Sequence, residues 1–381
     1  MAESVKRESF IPTTLKEMSD IIVYSYKQFI TTGELNMVPM MWGLPGIGKT
    51  EIVNEACQKL KRMFPDFQEQ PIMFMVSTKD ATDIGMPFLV MSKYDPDKKI
   101  VSWVRPETFD LPEDTKAILF FDELNHGDPN VQKALQQIIC DRKIDNFNLP
   151  KGVMMIAAGN PASCNINAIP LSQPMMDRFC HFEIEPDVQT WTTWAMGTGI
   201  NPDIVTFLYQ QRPELFYDEK GMEQGNKAYA TPRSWVRVSK IIDTISQDFG
   251  DSWFKTPTAY SMVNLLCQGL IGQSATSGLM SYLRDKARYQ NPEEIYKEGK
   301  DFKDTGNLNA IYGCLIACVS RIPTDKSVDI KVALHNLATA LAKLKQAEIR
   351  TFASKVIVNV DYLQEAISFD DLALIQDGVK E

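Results

Sequence analysis

Residues 43–50 read GLPGIGKT, from Gly43 to Thr50. Glycine admits backbone angles closed to other residues, so successive N–H groups in such a stretch can converge on one concavity and hold an anion. The apolar run LNMVPMMW (35–42) leads into the loop, and EIVNEACQKLKRMF (51–64), apolar at helical spacing, leaves it. A strand, a glycine turn and a helix start make the context in which this loop binds phosphate, because the helix adds its positive end. A chance glycine-rich turn lacks that frame. The spacing Gly43-x-x-x-x-Gly48-Lys49-Thr50 sets a lysine to reach the β- and γ-phosphates of a nucleotide and a hydroxyl to ligate Mg²⁺.

Outward from the loop, short apolar strands alternate with amphipathic helices. PIMFMVS (71–77), KAILFFDE (116–123) and GVMMIAAGN (152–160) read as strands. TLKEMSDIIVYSYKQFITT (14–32), closed by Gly33, and PNVQKALQQIICDRKI (129–144) read as helices. This alternation predicts an α/β domain over 1–185, a parallel sheet sandwiched by helices. Beyond EIEPDVQTW (183–191) only helical spacing appears, which predicts an all-helical region over 186–278 and a helical C-terminal extension over 279–381. The charged stretch 285–308 is expected as a surface connection. The longest amphipathic run, 328–357, is expected to pack as core.

The 381 residues, 44% of them hydrophobic, suffice for two or three domains. With 49 acidic against 40 basic side chains, the net charge is −9, which disfavours broad duplex DNA binding but leaves a local basic groove open. Seven cysteines, scattered and without a CxxC pair, argue against a disulfide framework or a zinc site and for a reducing, cytoplasmic setting. No signal core opens the chain. Its most apolar stretch, Ile311 to Val319, is too short to span a bilayer, so no membrane insertion is expected.

The ends of the strands carry the chemistry. Asp122 and Glu123 close a buried strand, where paired carboxylates are costly unless they meet a cation. Asp122 suits a Mg²⁺ contact, and Glu123 suits deprotonating an attacking water. The bland alternative is a solvated cap. Asn160 ends the next strand and offers an amide that holds water without a change of charge. Arg178, in PMMDRFCHF, and Arg233, in ATPRSWVRV, offer planar cations for the charge that phosphoryl transfer develops. Taken singly, either arginine is at least as well explained by a salt bridge.

In this order, GLPGIGKT, FFDELN, AAGN, MMDRF and TPRSW resemble the AAA+ ATPases, and more narrowly their MoxR and dynein-related group, over about residues 10–250. The resemblance implies that Gly43, Pro45, Gly46, Ile47, Gly48, Lys49 and Thr50 hold ATP, that Thr50 and Asp122 hold Mg²⁺, and that Glu123, Asn160, Arg178 and Arg233 act in hydrolysis. Asn160 takes the place of the first sensor. Arg178 becomes a finger reaching the nucleotide of a neighbouring subunit, and Arg233 a second sensor on a helical lid, 186–278. It further implies a homo-oligomeric ring, in this family usually a hexamer. Within it, DATDIGMP (80–87) resembles the segment before the family's helix-2 insertion, placed near 83–105. There FLVMSKYDPDKKIVSWV reads as two strands about a turn at Asp95–Asp97, with Met91, Lys93, Tyr94 and Trp103 as candidates for gripping a substrate; the alternative is a plain surface hairpin. DRKIDNFNLPKG (141–152) resembles a second hairpin, before the sensor strand. Nothing resembles the family beyond about 280, and no von Willebrand-type metal motif is visible, so a partner carrying one would be a separate chain.

Three functions follow from the resemblance: a ring motor remodelling a protein partner, a nucleic-acid motor or loader, or a nucleotide-dependent scaffold with slow hydrolysis. The acidic balance favours the first. A basic stripe on the hairpin would favour the second, and Lys98 and Lys99 are offset there by Asp95 and Asp97. The complete set of Glu123, Asn160 and Arg178 argues against the third, since a scaffold needs neither base nor finger.

Overall fold

Six strands of the α/β region lie parallel in one sheet in the computed structural model of the chain. The structure describes residues 12–33, 37–95, 97–104, 106–144, 147–161, 169–250, 252–285, 290–303, 308–323 and 325–378. Cys164 lies outside them. The chain divides into two units, Met1–Pro186 and Asp187–Glu381.

The first unit runs β1 (Pro12–Thr13), α1 (Leu15–Thr32), β2 (Val38–Gly43), α2 (Lys49–Met63), β3 (Ile72–Met75), β4 (Met86–Met91), β5 (Lys99–Val104), β6 (Lys116–Asp122), α3 (Pro129–Asp141), β7 (Lys143–Ile144), β8 (Phe147–Asn148), β9 (Gly152–Gly159), α4 (Gln173–Met176) and β10 (Phe179–Ile184). The sheet order is β1-β10-β2-β9-β6-β3. Its central strands are apolar on both faces because helices cover both. Val38, Met40, Leu119, Phe121, Met155 and Ala157 pack with Val131, Leu135 and Ile138 of α3. Met41, Ile118, Phe120, Met154 and Ile156 are buried on the alternate face, where α1 and α2 lie against β9 and β6. The side-chain period of two assigns each set to its face.

Helix ends follow local chemistry. Thr14 and Glu17 form a capping box at the start of α1, and Gly33 closes it in the left-handed conformation. Asp128 caps α3, with Pro129 as its first residue.

Two strands were not expected, the two-residue β1 and the longer β10. FCHFEI, β10, pairs with β2 over its whole length. Its histidine and glutamate hide it from a search for apolar runs, and it is only partly buried because a two-residue strand alone flanks it.

β4 and β5 stand apart as an antiparallel hairpin, Leu89 opposite Val101 and Pro87 opposite Trp103, with the turn where Asp95–Asp97 predicted it. β7 and β8 form the second hairpin.

The second unit is helical throughout its described residues: α5 (Val188–Gly197), α6 (Pro202–Thr206) running into a π-turn (Phe207–Gln211), α7 (Glu219–Glu223), α8 (Pro232–Phe249), α9 (Pro257–Asp285, broken at Gly272), α10 (Glu293–Tyr296), α11 (Leu308–Arg321), α12 (Ile330–Ala342), α13 (Ala347–Asn359), α14 (Asp361–Ala366) and α15 (Phe369–Asp377). One core spans Trp191 to Ile375, and the division expected at 278–279 falls inside α9. One expectation needs correction. The charged stretch 285–308 is no mere surface link, since Ile295, Tyr296 and Phe302 are buried in that core. The run 328–357 packs in that core as expected, as two helices parted at Lys343–Gln346. A single helix of that length would span about 45 Å, too long for both halves to pack on one core. Ile311 to Val319 lies in α11, as a buried helix. No described helix is long and apolar enough to cross a membrane.

Candidate active site

Because the strands are parallel, their carboxyl ends share one edge of the sheet, and four of them deliver polar side chains there. β2 delivers the glycine loop. Gly46 (φ 79°) and Gly48 (φ 111°) adopt left-handed angles that side-chain-bearing residues resist, which turns the loop into the first turn of α2. Ile47 is buried and anchors the loop from below.

Lys49 is only 8% exposed, and a buried ammonium needs acceptors. Its Nζ donates to Gly43 O at 2.6 Å, Leu44 O at 3.1 Å and Asn160 Oδ1 at 2.8 Å. These three oxygens are neutral, so a phosphate oxygen is a stronger partner in the same place. The Thr50 hydroxyl donates to Asp122 Oδ2 at 3.0 Å, joining the loop to the end of β6. Asp122 Oδ1 accepts from the Glu123 N–H at 3.0 Å. A hydroxyl and a carboxylate held so close on two rigid elements make a donor pair that suits Mg²⁺, an ion that takes few protein oxygens and keeps waters and phosphate for the rest.

Glu123 leaves the strand at φ 56°, ψ 39°, a left-handed conformation that costs a non-glycine residue roughly 1–2 kcal/mol. Its carboxylate Oε2 accepts from the Ser77 hydroxyl, just past the end of β3. Asn160, 9% exposed, follows β9 beside the loop. Asn125 clasps its backbone: Asn125 Nδ2 donates to Asn160 O at 2.7 Å, and Asn125 Oδ1 accepts from the Asn160 N–H at 3.1 Å. Gly159 is packed so closely that a Cβ there would lie 2.8 Å from Asn125 Oδ1 and from Met40.

The structure thus brings Lys49, Thr50, Asp122, Glu123 and Asn160 together. Ser77 and Asn125 join them, and neither was assigned a role from sequence. Their only signal was position, each a polar residue closely following the end of an apolar strand.

Arg178 is elsewhere. It is exposed and immediately precedes β10, at the amino end of a strand whose partner residues run from Val38 to Gly43 of β2. Six residues of strand separate it from the level of the loop, roughly 20 Å, farther than an arginine side chain reaches. Within its own unit it lies near Cys140, whose thiol is pushed up by burial and partly brought back by the guanidinium. Arg233 belongs to the second unit. It is exposed in the first turn of α8, behind Pro232 and a capping box formed by Thr231 and Ser234. His181 bridges Trp42 Nε1 and Met176 O and is structural.

No curated protein is similar enough to this chain to stand as a relative. Among solved structures, a mutant of Thermotoga maritima RuvB is 14% identical, over 76% of this chain and 79% of its own, at a TM-score of 0.37. NtrX from Brucella abortus, in complex with ADP, is 10% identical over 93% of this chain and 70% of its own, at 0.35. The model of the AAA domain, dynein-related subfamily, matches residues 39–179, from β2 and the glycine loop to the start of β10. The chain therefore carries an AAA domain of the dynein-related subfamily.

Proposed function

We propose that the chain is an ATP-hydrolysing ring motor that remodels a polypeptide partner in the manner of the MoxR group. An AAA domain implies nucleotide hydrolysis in general. The observation that carries the finer reading is the split of the charged groups between the two edges of the sheet. The loop lysine, both carboxylates and Asn160 share the carboxyl edge, while Arg178 stands exposed at the amino edge. An arginine that serves a site it cannot reach in its own chain serves a neighbour's, so the active site is complete only in an assembly.

In this reading the glycine-loop amides, the start of α2 and Lys49 hold the β- and γ-phosphates of ATP, and Lys49 exchanges its neutral oxygens for phosphate oxygens. Thr50 and Asp122 would hold Mg²⁺, which supplies charge neutralisation between those phosphates. Glu123 takes a proton from the attacking water once Ser77 releases its carboxylate. Asn160, held by Asn125, keeps that water in line. Arg178 of the neighbouring copy stabilises charge on the transferred group, and Arg233 senses the nucleotide from the helical unit.

The β4–β5 hairpin supports a polypeptide as the substrate. Met91, Lys93, Tyr94 and Trp103 are exposed, Tyr94 almost fully, and Phe88, Leu89 and Val101 join them. A surface this apolar, with Lys98 and Lys99 offset by Asp95 and Asp97, suits apolar peptide segments better than phosphates.

Mixing tests the assembly. Arg178→Ala is expected to lose turnover by about 10³-fold or more while still binding ATP. Lys49→Ala protein, which keeps Arg178 but cannot bind, should restore part of that activity on mixing. Confirmed mixed assemblies without recovery overturn the reading. Glu123→Gln assemblies trapped with ATP in a native lysate should retain protein; nucleic acid in the trap overturns the substrate class.

A further inference from the structure

A hollow of about 550 Å³ opens within the second unit, between the π-turn after α6, α11 and α13. The π-turn makes it. Arg212 N–H reaches back five residues to Phe207 O at 3.0 Å, and the widened turn presents Tyr209 and Gln210 side by side. Such turns recur at functional sites. The Tyr209 ring stacks on Phe352, with centroids 4.9 Å apart at 27°, and Tyr312 meets Phe352 edge-on at 5.4 Å. Together they form an aromatic wall. Glu348, exposed, also lines the hollow. Burial, and after it the Glu348 carboxylate and Tyr209, push the Tyr312 phenol up. Gln210 Oε1 is buried without a hydrogen-bond partner among the described residues. The one cation lining the hollow, Lys355, is exposed, as Glu348 is, and lies two turns along α13 from it, about 10 Å.

We propose that this hollow binds a guanidinium group, presented as an arginine side chain by a partner polypeptide. Each feature answers one property of that group. A flat delocalised cation stacks on an aromatic face, which a compact ammonium does less well. Its N–H groups lie in one plane, so one edge donates to Glu348 while the flat face lies on the rings. An anion would meet ring faces and a carboxylate. A purely apolar group would leave Glu348 unanswered. The site rests on the second unit alone and is independent of the ATPase reading.

Calorimetric titration of the whole chain tests it, with N-acetyl-arginine N-methylamide, its neutral citrulline counterpart and free arginine as probes. The arginine amide should saturate with a Kd on the order of millimolar, and the citrulline amide should bind at least about tenfold more weakly. Glu348→Gln should bring the arginine amide down to the citrulline level. If Glu348 merely offsets the dipole of α13 as a first-turn acid, the two amides bind alike, and the proposal fails. It fails equally if the arginine amide does not saturate by tens of millimolar, more than about tenfold above the expected Kd. Tighter binding of free arginine than of its amide would overturn the polypeptide as the source of the group.

Discussion

The carboxyl edge of the sheet and the β4–β5 hairpin depart from ordinary side-chain placement in opposite directions. At the edge, Lys49, Asp122 and Asn160 are buried. On the hairpin, Phe88, Leu89, Val101 and Trp103 are exposed. Burying a charge and exposing a run of apolar surface both cost free energy, and neither serves the fold. The edge offsets its cost internally, by hydrogen bonds from Lys49 to three oxygens and from Thr50 to Asp122. On the hairpin the apolar side chains stay exposed even where, as with Leu89 and Val101, they face each other across the strands. The lesson is that the edge is built to act on something small that enters it, and the hairpin on something large that covers it.

The strongest way to break this comparison is at Glu123. Glu123→Gln should lower phosphate release by about 10²–10⁴-fold and leave nucleotide binding intact. Near-normal turnover would make the edge a binding cradle only. Asn125→Ala comes next. It strips the buried N–H and C=O of Asn160 of their partners, and urea unfolding of the first unit should report a loss of about 2 kcal/mol. An unchanged midpoint would mean that the clasp contributes nothing to the edge. Ser77→Ala frees the Glu123 carboxylate, so basal turnover should rise about fivefold, the equivalent of one ordinary hydrogen bond. A fall would show that Ser77 positions Glu123 for the reaction. The smallest effect belongs to the hairpin. Replacing the facing pair Leu89 and Val101 by serine should change unfolding by no more than about 0.5 kcal/mol per site, because both are already in water. A loss several times larger would show these side chains covered in the free protein.

The two regions were unequally legible. The edge announced itself because its chemistry sits at fixed positions on strands with plain apolar runs. GLPGIGKT, FFDE and AAGN each end a strand, and parallel pairing then brings the ends together. The hairpin's strands and turn were legible too, from alternation and a polar turn. Its extent of exposure was not, since an apolar strand reads the same whether a helix covers it or water does. β10 escaped notice because a partly covered strand tolerates His181 and Glu183. In the second unit, helical spacing was clear. The break at Lys343–Gln346 and the burial of Tyr296 depend on how the helices close on one core, which no local window contains.

By itself, the sequence determined the loop, the order of the strands that carry polar ends, and the helical elements among the described residues past 187. These are local matters: backbone permission at glycine, the period of apolar residues, and caps. Tertiary structure alone decided that Ser77 holds Glu123, that Asn125 clasps Asn160, and that Arg178 lies at the far edge from the loop. Each joins residues 35 to more than 100 positions apart. Only the pairing of parallel strands, which sets every carboxyl end on one side and every amino end on the other, determines which of them meet.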